Sequence, residues 1–142
     1  MASNPNVTTL VGLYARWGAT KGGNVDEVLD LLDEEVEMRS VLSPDLPAPI
    51  AGTHSSKEGA RDYFAALLRE WEMVDWQCHR FIGDGDDVVM IGRCHWRSRE
   101  TGAEVDTRKV DVWHFENGKA TRFLEMFDSL AFATAVGAAQ LV

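Results

Sequence analysis

Two acidic residues near the end of the chain lie in strand-like runs whose same-face neighbours are aromatic. Asp111 is two positions from Trp113, and Glu125 lies between Phe123 and Phe127. Because alternate side chains of a strand point to the same face, each carboxyl group shares a face with aromatic rings. A carboxyl group on an apolar face must be ion-paired, protonated or used in chemistry. Desolvation raises the pKa of such a group, which suits general acid–base catalysis near neutral pH.

Both acids also have a structural explanation. A salt bridge to Lys109, two residues away on the same face, or to a histidine would account for a buried Asp111. Glu125 has Arg108 or Arg122 as candidate partners. An acid that faces a cavity without a cationic partner would indicate an enzyme. Paired acids, or a cavity filled by side chains, would indicate a non-catalytic module.

The elements that position these acids follow from hydrophobic periodicity. Leu10, Leu13, Tyr14 and Trp17 have helical spacing, a second helix follows Asn24, and a third is predicted at about residues 57–71. Residues 43–52 contain three prolines and are predicted to form a loop. Strands are predicted at 36–41, about 74–82 and about 87–98, and then on both sides of the turn at 117–118. Residues 130–137 are typical of a short final helix or a fraying tail.

This order predicts one α+β domain spanning residues 1–142. A mostly antiparallel sheet would pack against three helices from the first half of the chain. If the sheet curves, a cone-shaped pocket opens between the two layers. The strand side chains expected to face that pocket are Met38, Ser40, Cys94, Trp96, Asp111, Trp113, Phe123, Glu125 and Phe127. Tyr14 and Trp17 from the first helix, and His54 at the pocket mouth, are further candidates for substrate binding.

Composition excludes several classes of partner. A net charge of -9 over 142 residues argues against binding nucleic acid or an anionic membrane. The chain has no apolar run near the roughly 20 residues that span a bilayer. Residues 1–9 do not resemble a secretory signal, and two cysteines without metal-ligand spacing suit a reducing compartment. We therefore expect a cytoplasmic protein without a metal or cofactor.

Two segments resemble a known family. The runs AGTHSSKEGARDYFAAL and KVDVWHFENGKATRFLEMFD, with the early helices, are similar to the nuclear-transport-factor-two-like superfamily, in its SnoaL-like and ketosteroid-isomerase-like branch. The resemblance covers nearly the whole chain. It implies a cone-shaped α+β barrel of the cystatin-like or SnoaL-like type, an apolar pocket and commonly a homodimer through the outer sheet face. It implies little about activity, because one fold hosts many functions.

The resemblance assigns roles to particular residues. Asp111 matches the protonated acid that stabilises the oxyanion in ketosteroid isomerases, and Tyr14 lies near the tyrosine that shares this role. Ser40 stands where their general base is expected, and a serine cannot take a carbon-bound proton without its own base. Asp128 matches an acid of limonene-epoxide-hydrolase-like relatives, whose arginine has a counterpart in Arg93 but whose second aspartate is replaced by His95, so their triad is not reproduced. SnoaL-type cyclases rely on a late-strand acid, which Glu125 or Asp128 would supply.

The sequence therefore predicts a pocket protein for a small apolar molecule of polyketide, steroid or terpene type. Its chemistry would be cofactor-free proton transfer by Asp111, Glu125 and Asp128. Asp128 also has an ordinary explanation as the cap of the final helix. The alternative is a non-catalytic, homodimeric ligand-binding or dimerisation module. A protein adaptor is a weaker third hypothesis. Arg93, His95 and Arg97 would form an outer stripe that is solvated, paired with Asp106 or part of a dimer interface.

Overall fold

The structure, a computed structural model, describes residues 3–140. Within them the chain forms four helices and six strands. The helices are α1 (Pro5–Ala19), α2 (Val25–Leu31), α3 (Ser56–Glu70) and α4 (Ser129–Ala135). The strands are β1 (Leu32–Ser40), β2 (Thr53–Ser55), β3 (Trp71–Asp84), β4 (Asp87–Ser98), β5 (Glu104–Glu116) and β6 (Lys119–Phe127).

The six strands form one curved, unclosed sheet in the order β2-β1-β6-β5-β4-β3. Every neighbouring pair is antiparallel except β1 and β6, which run parallel. The β5–β6 hairpin turns at Asn117 and Gly118, whose φ angles of 52° and 78° match the left-handed conformation of a tight hairpin. This architecture confirms the predicted α+β class and the mostly antiparallel sheet.

The helices cover the concave side of the sheet. The predicted stripe of α1 is buried, and α3 buries Tyr63, Phe64 and Leu67 on the same side. Several element bounds differ from the prediction, and Trp71, expected on the buried side of the third helix, is instead the first residue of β3. Leu32 begins β1 rather than continuing α2, and the short edge strand β2 was not predicted. The loop at residues 43–52 and the bounds of β4 agree with the prediction.

One glycine permits a close approach between β3 and β4. The pairing of these strands shifts register between Cys78 and Arg80, opposite Gly92. A Cβ atom on Gly92 would lie 2.0 Å from the carbonyl oxygen of Gln77, so no larger residue fits there. Bulges of this kind bend a strand and increase its twist, which favours the curvature that opens the concave side.

No helix within residues 3–140 is long and apolar enough to cross a membrane.

Candidate functional site

A cavity lies between the concave face of the sheet and the helices. The volume open to the centre of a water molecule is about 90 Å³. Its wall is largely aromatic and aliphatic, with a few polar groups gathered on β5 and β6. The aromatic residues that line it are Tyr14, Trp17, Tyr63, Phe64, Trp71, Trp76, Trp96, Trp113, Phe123, Phe127 and Phe132. Met38 and Cys94 also line it.

Three charged side chains meet at this wall. Asp111 on β5 pairs directly opposite Glu125 on β6, which would bring two like charges together. Nζ of Lys109 lies 2.9 Å from Oδ1 of Asp111 and 3.8 Å from Oε1 of Glu125. The exposed fractions of Asp111 and Glu125 are 2%, and that of Lys109 is 7%. Among the described residues, Lys109 is the only cation that lines the cavity, so two carboxyl groups share one ammonium group.

Aromatic rings surround the ammonium group. Nζ of Lys109 lies 5.4 Å from the ring centroid of Phe127, 5.9 Å from that of Trp76 and 6.0 Å from that of Phe123. A cation at such distances is attracted to the faces of aromatic rings. These contacts help to hold the ammonium group at the wall, where water is excluded from most of its surroundings.

Each carboxyl group also accepts a hydrogen bond from a tyrosine. The hydroxyl group of Tyr14 donates to Oδ2 of Asp111 at 2.5 Å and accepts from Nε1 of Trp113 at 3.0 Å. The hydroxyl group of Tyr63 donates to Oε1 of Glu125. Elements distant in the chain, α1 and α3, therefore fix the two acids of the β5–β6 hairpin.

Burial and the shared cation shift the pKa values in this cluster. Burial opposes the charge of Lys109, but the carboxylates of Asp111 and Glu125 outweigh that penalty, so its pKa lies above the ordinary value. Desolvation raises the pKa of Glu125, and the opposing effect of Lys109 does not cancel it. Burial and the adjacent carboxylates also raise the pKa values of Tyr14 and Tyr63. Burial therefore favours the protonated form of Glu125.

One carboxylate oxygen has unused capacity. Oδ1 of Asp111 is buried and receives no hydrogen bond from residues 3–140. Its 2.9 Å contact with Nζ of Lys109 is an ion pair whose angles are not those of a hydrogen bond. A buried polar atom without a hydrogen bond is costly, so this oxygen offers a position for a donor group of a bound molecule.

Three of the predicted site residues lie outside the cavity wall. Ser40 donates a hydrogen bond of 3.3 Å to Oε2 of Glu125 from behind it. His54 bonds the carbonyl oxygen of Pro49 at 2.8 Å and packs its ring against Tyr63. Asp128 is exposed.

Asp128 has a structural role where it stands. It caps α4, because its side chain accepts from the backbone N–H of Ala131 at 2.9 Å. The structure therefore separates Asp128 from Asp111 and Glu125, which it brings together. The other predicted substrate-binding residues, Tyr14, Trp17, Met38, Trp96, Trp113, Phe123 and Phe127, all line the cavity.

The sequence interpretation did not place Lys109 and Tyr63 in the site. Lys109 shares the strand face of Asp111, so strand alternation indicates that Lys109 faces the cavity. Tyr63 lies on the buried stripe of α3, so helical spacing indicates the same for Tyr63. The suggested pairing of Glu125 with Arg108 or Arg122 was wrong. Alternation puts both arginines on the outer face, where they are exposed. The suggested salt bridge between Asp111 and Lys109 is confirmed.

The outer stripe of β4 is paired with acids on neighbouring strands. Nε of Arg93 lies 2.8 Å from Oδ1 of Asp106, as one of the sequence alternatives proposed. His95 and Arg97 both contact Glu104. These groups are partly exposed, and such pairs contribute little to stability.

Nucleophilic and metal chemistry find little support in these residues. Burial raises the pKa of Cys94 to about 12, so its thiol stays protonated at neutral pH. Within residues 3–140, no group of three or more His, Cys, Asp or Glu side chains is placed to hold a metal ion.

A curved, mostly antiparallel sheet with helices over its concave face defines the nuclear-transport-factor-two-like class of proteins. The particular family follows from the sequence. Residues 11–123 match the family model described as the SnoaL-like domain, and the chain belongs to that family. Among proteins of curated function, none matches the sequence significantly.

Solved structures share this fold. A protein of unknown function from Burkholderia pseudomallei is 23% identical with a TM-score of 0.80, over 94% of this chain and 98% of that chain. TerC, co-crystallised with polyporic acid, is 22% identical with a TM-score of 0.74, over 94% and 99%. A candidate SnoaL-like polyketide cyclase from Jannaschia sp. CCS1 is 19% identical with a TM-score of 0.74, over 99% of both chains. At these identities the likeness establishes the fold alone.

Proposed function

We propose that this protein binds a small, largely apolar, oxygenated molecule in the cavity and moves a proton on it without a cofactor. Because Lys109 contacts both acids, the criterion set from the sequence, an acid without a cationic partner, is not met as stated. The observation that carries the proposal is that the one ammonium group of Lys109 can neutralise only one of two buried carboxyl groups at an apolar wall. Such a cluster keeps one acid charged and favours a proton on the other. Acids held in different environments are the usual basis for acid and base roles in one site.

The contacts suggest a role for each group. Asp111 is the proposed proton acceptor, and its Oδ1, which is ion-paired with Lys109 but accepts no hydrogen bond, is the atom that would take the proton. The ammonium group of Lys109 would stabilise an enolate oxygen that forms as the proton leaves. Glu125 would return a proton at a second carbon atom. Because one proton is taken and one is delivered, the two acids together hold the same number of protons before and after an isomerisation.

The substrate class is inferred from the wall. Aromatic rings including those of Trp113 and Phe123 suit a planar ring system, and the polar cluster suits a ketone or enol at one end. The related folds include TerC, co-crystallised with polyporic acid, and a candidate polyketide cyclase. These support a ligand of polyketide, steroid or terpene type.

A second candidate function is non-catalytic ligand binding. It is favoured by the contact of Lys109 with both acids, because neither carboxyl group then lacks a cation. A binding protein would use the same cluster to recognise a polar group and would leave the carbon-bound protons of its ligand in place.

Exchange of hydrogen for deuterium separates the two candidates without knowledge of the product. The protein is incubated in D₂O with 2-tetralone, a bicyclic ketone with acidic C–H groups, and loss of the α-proton signals is followed by NMR. Exchange faster than in buffer is expected, falling at least tenfold in Asp111→Asn and in Glu125→Gln. Asp106→Asn, on the outer face of β5, is the matched control and should exchange like wild type.

The outcomes of this experiment are distinct. Binding of the ketone without exchange would select the non-catalytic function. Exchange that is unchanged in both acid variants would refute the assigned roles. No binding of this ketone or of related hydrophobic ketones and epoxides, measured as a shift in melting temperature, would refute the ligand class.

We also propose that the protein forms a homodimer through the outer sheet face. Strands β4, β5 and β6 place two adjacent rows of aliphatic side chains there, and their register makes the patch continuous. The patch consists of Val89, Ile91, Val110, Val112, Leu124 and Met126. A contiguous apolar patch with a charged border is typical of a protein interface.

The oligomeric state can be measured by size-exclusion chromatography with light scattering. We expect a dimer for wild type and a monomer for Val112→Asp, because Val112 is at the centre strand of the patch. Val11→Asp, at an exposed valine of α1, is the control and should remain dimeric. A monomeric wild-type protein would refute this interface.

The proposed compartment is the cytoplasm. Both cysteines are free, and Cys94 is buried beside the cavity, where oxidation would disturb the wall. Free thiols of this kind persist in reducing compartments. Cell fractionation followed by immunodetection tests this proposal.

A further inference from the structure

A second cleft lies behind one wall of the cavity. It is bordered by the proline-rich loop at residues 47–50, the turn at residues 98–101 and the second half of α4 with the residues that follow. The volume of this cleft that is open to the centre of a water molecule is about 690 Å³. Ile50, Trp71 and Phe132 line both spaces, so these three residues form the partition between them.

Phe132 is the central side chain of this partition. Its ring centroid lies 5.5 Å from that of Trp71 and 6.1 Å from that of Phe127. Its exposed fraction is only 3%, although it belongs to a short terminal helix.

The helix that carries Phe132 has few other attachments. Its start is fixed by the Asp128 cap, and the backbone N–H of Asp128 donates to Oγ1 of Thr107 at 3.0 Å. Beyond that point Phe132 is the one buried residue of α4, and Leu130 is 53% exposed. Phe132 is therefore the main contribution of α4 to the partition, and the partly buried Ala131, Ala135 and Val136 also pack the helix against the core.

The lining of the cleft indicates what it would accept. Part of its lining is apolar, with Pro47, Pro49 and Val136. The outer border carries Arg69 and Arg99 together with Glu70 and Glu100, so its charges balance. Such a space suits a neutral, apolar group better than an ion.

We propose that a ligand of the cavity carries a neutral alkyl or aryl extension that points towards this cleft, and that Phe132, which closes the cavity at that point, sets the length of extension that fits. This inference rests on the proposed function, because it assigns a second part of the ligand of the same site. It makes Phe132 a specificity-determining residue. The cavity alone, at about 90 Å³, leaves little room beyond a ring system.

The test is a chain-length series of 2-acylphenols, from 2-hydroxyacetophenone to 2-hydroxydecanophenone, with binding measured by calorimetry. The phenol group matches Oδ1 of Asp111, which accepts no hydrogen bond, and the carbonyl group matches the ammonium group of Lys109. For wild type, affinity should level off once the chain reaches Phe132. In Phe132→Ala the rise should continue, by up to about fourfold per added methylene group.

Two further variants keep the test sound if Phe132→Ala folds poorly. Ile50→Ala removes part of the same partition on the side of the loop and leaves Phe132 and the cap of α4 intact. In this variant affinity should also continue to rise with chain length beyond the wild-type limit. Leu130→Ala, on the exposed side of the same helix, should bind every member as wild type does.

The possible results distinguish failure of this inference from failure of the proposed function. Tight binding of short members, with the same chain-length profile in wild type, Phe132→Ala and Ile50→Ala, would overturn the inference alone. No binding of any member to wild type would overturn both the proposed ligand class and this inference.

Discussion

Replacement of Lys109 by methionine tests the charge balance of the site. Methionine preserves the length and much of the apolar stem of lysine but removes the ammonium group that Asp111 and Glu125 share. The variant would then hold two opposed, buried carboxyl groups without a cation. Removal of one member of a buried ion pair usually costs about 3–5 kcal/mol, because it leaves an uncompensated charge.

The pH dependence of the free-energy loss in Lys109→Met gives a second, independent value to measure. The variant can avoid the unpaired charge if one carboxyl group takes up a proton. For a carboxyl group of ordinary pKa, this costs about 4 kcal/mol at pH 7 and about 1.5 kcal/mol at pH 5. We therefore expect Lys109→Met to lower the free energy of unfolding by about 4 kcal/mol at pH 7 and by less than half of that at pH 5.

Urea unfolding at both pH values measures this difference. Lys57→Met is the matched control, because Lys57 lies 3.5 Å from Glu34, whose side chain is 82% exposed. It should cost less than about 1 kcal/mol at either pH. The double variant Lys109→Met/Asp111→Asn should recover most of the loss at pH 7. An equal loss at both pH values, or a loss no larger than that of Lys57→Met, would refute the shared-cation account.

Three other variants test separate features. Because burial raises the pKa of Glu125, the folded wild type binds this proton more tightly than the unfolded chain. The stability of wild type relative to Glu125→Gln should therefore fall as pH rises above the ordinary pKa of glutamate, as measured by urea midpoints. Asp128→Ala should cost about 1 kcal/mol locally and speed amide exchange at Ala131, because the cap of α4 is lost. Gly92→Ala should cost about 3 kcal/mol or more in thermal unfolding, because its Cβ would collide with the backbone oxygen of Gln77.

Each of these three predictions has a control variant or an outcome that would contradict it. A stability difference for Glu125→Gln that grows with pH would mean that the folded state favours the charged carboxylate. Asp128→Asn keeps a capping oxygen and should exchange like wild type. Gly85→Ala meets no neighbouring atom but has a φ of 59°, so it should cost only about 1–2 kcal/mol. An equal or larger cost at Gly85 would contradict the steric explanation for Gly92.

Local periodicity accounts for the parts of the fold that the sequence predicted. Helical spacing located the buried stripe of α1, and alternation located β4 and the β5–β6 hairpin. Strand order and pairing are not local properties, so the parallel contact of β1 with β6 was not predicted. The edge strand β2 has three residues and no buried side chain, which leaves no hydrophobic period to read. Leu32 fits the period of both elements that it joins.

The same difference between local and non-local properties explains which features of the site the sequence could predict. Alternation within one strand put Asp111 and Glu125 on inward faces, as the structure has them. The proximity of Glu125 to Lys109 depends on the register between β5 and β6, which sets Asp111 opposite Glu125. The place of Tyr63 depends on how α3 crosses the sheet. Asp128 follows the last inward residue of β6 and turns outward because α4 begins there.

The parallel pairing of β1 with β6 bears on how the chain is made. Met38 of β1 pairs with Phe123 of β6, which is made much later. The inner edge of β1 therefore stays uncovered until most of the chain has left the ribosome. Pairings between such distant segments form slowly, and an uncovered strand edge invites association with other nascent chains. A polypeptide that stops before β6 lacks both a partner for β1 and the strand that carries Glu125. Release of the final hairpin from the ribosome thus completes the sheet and the acid cluster in one step.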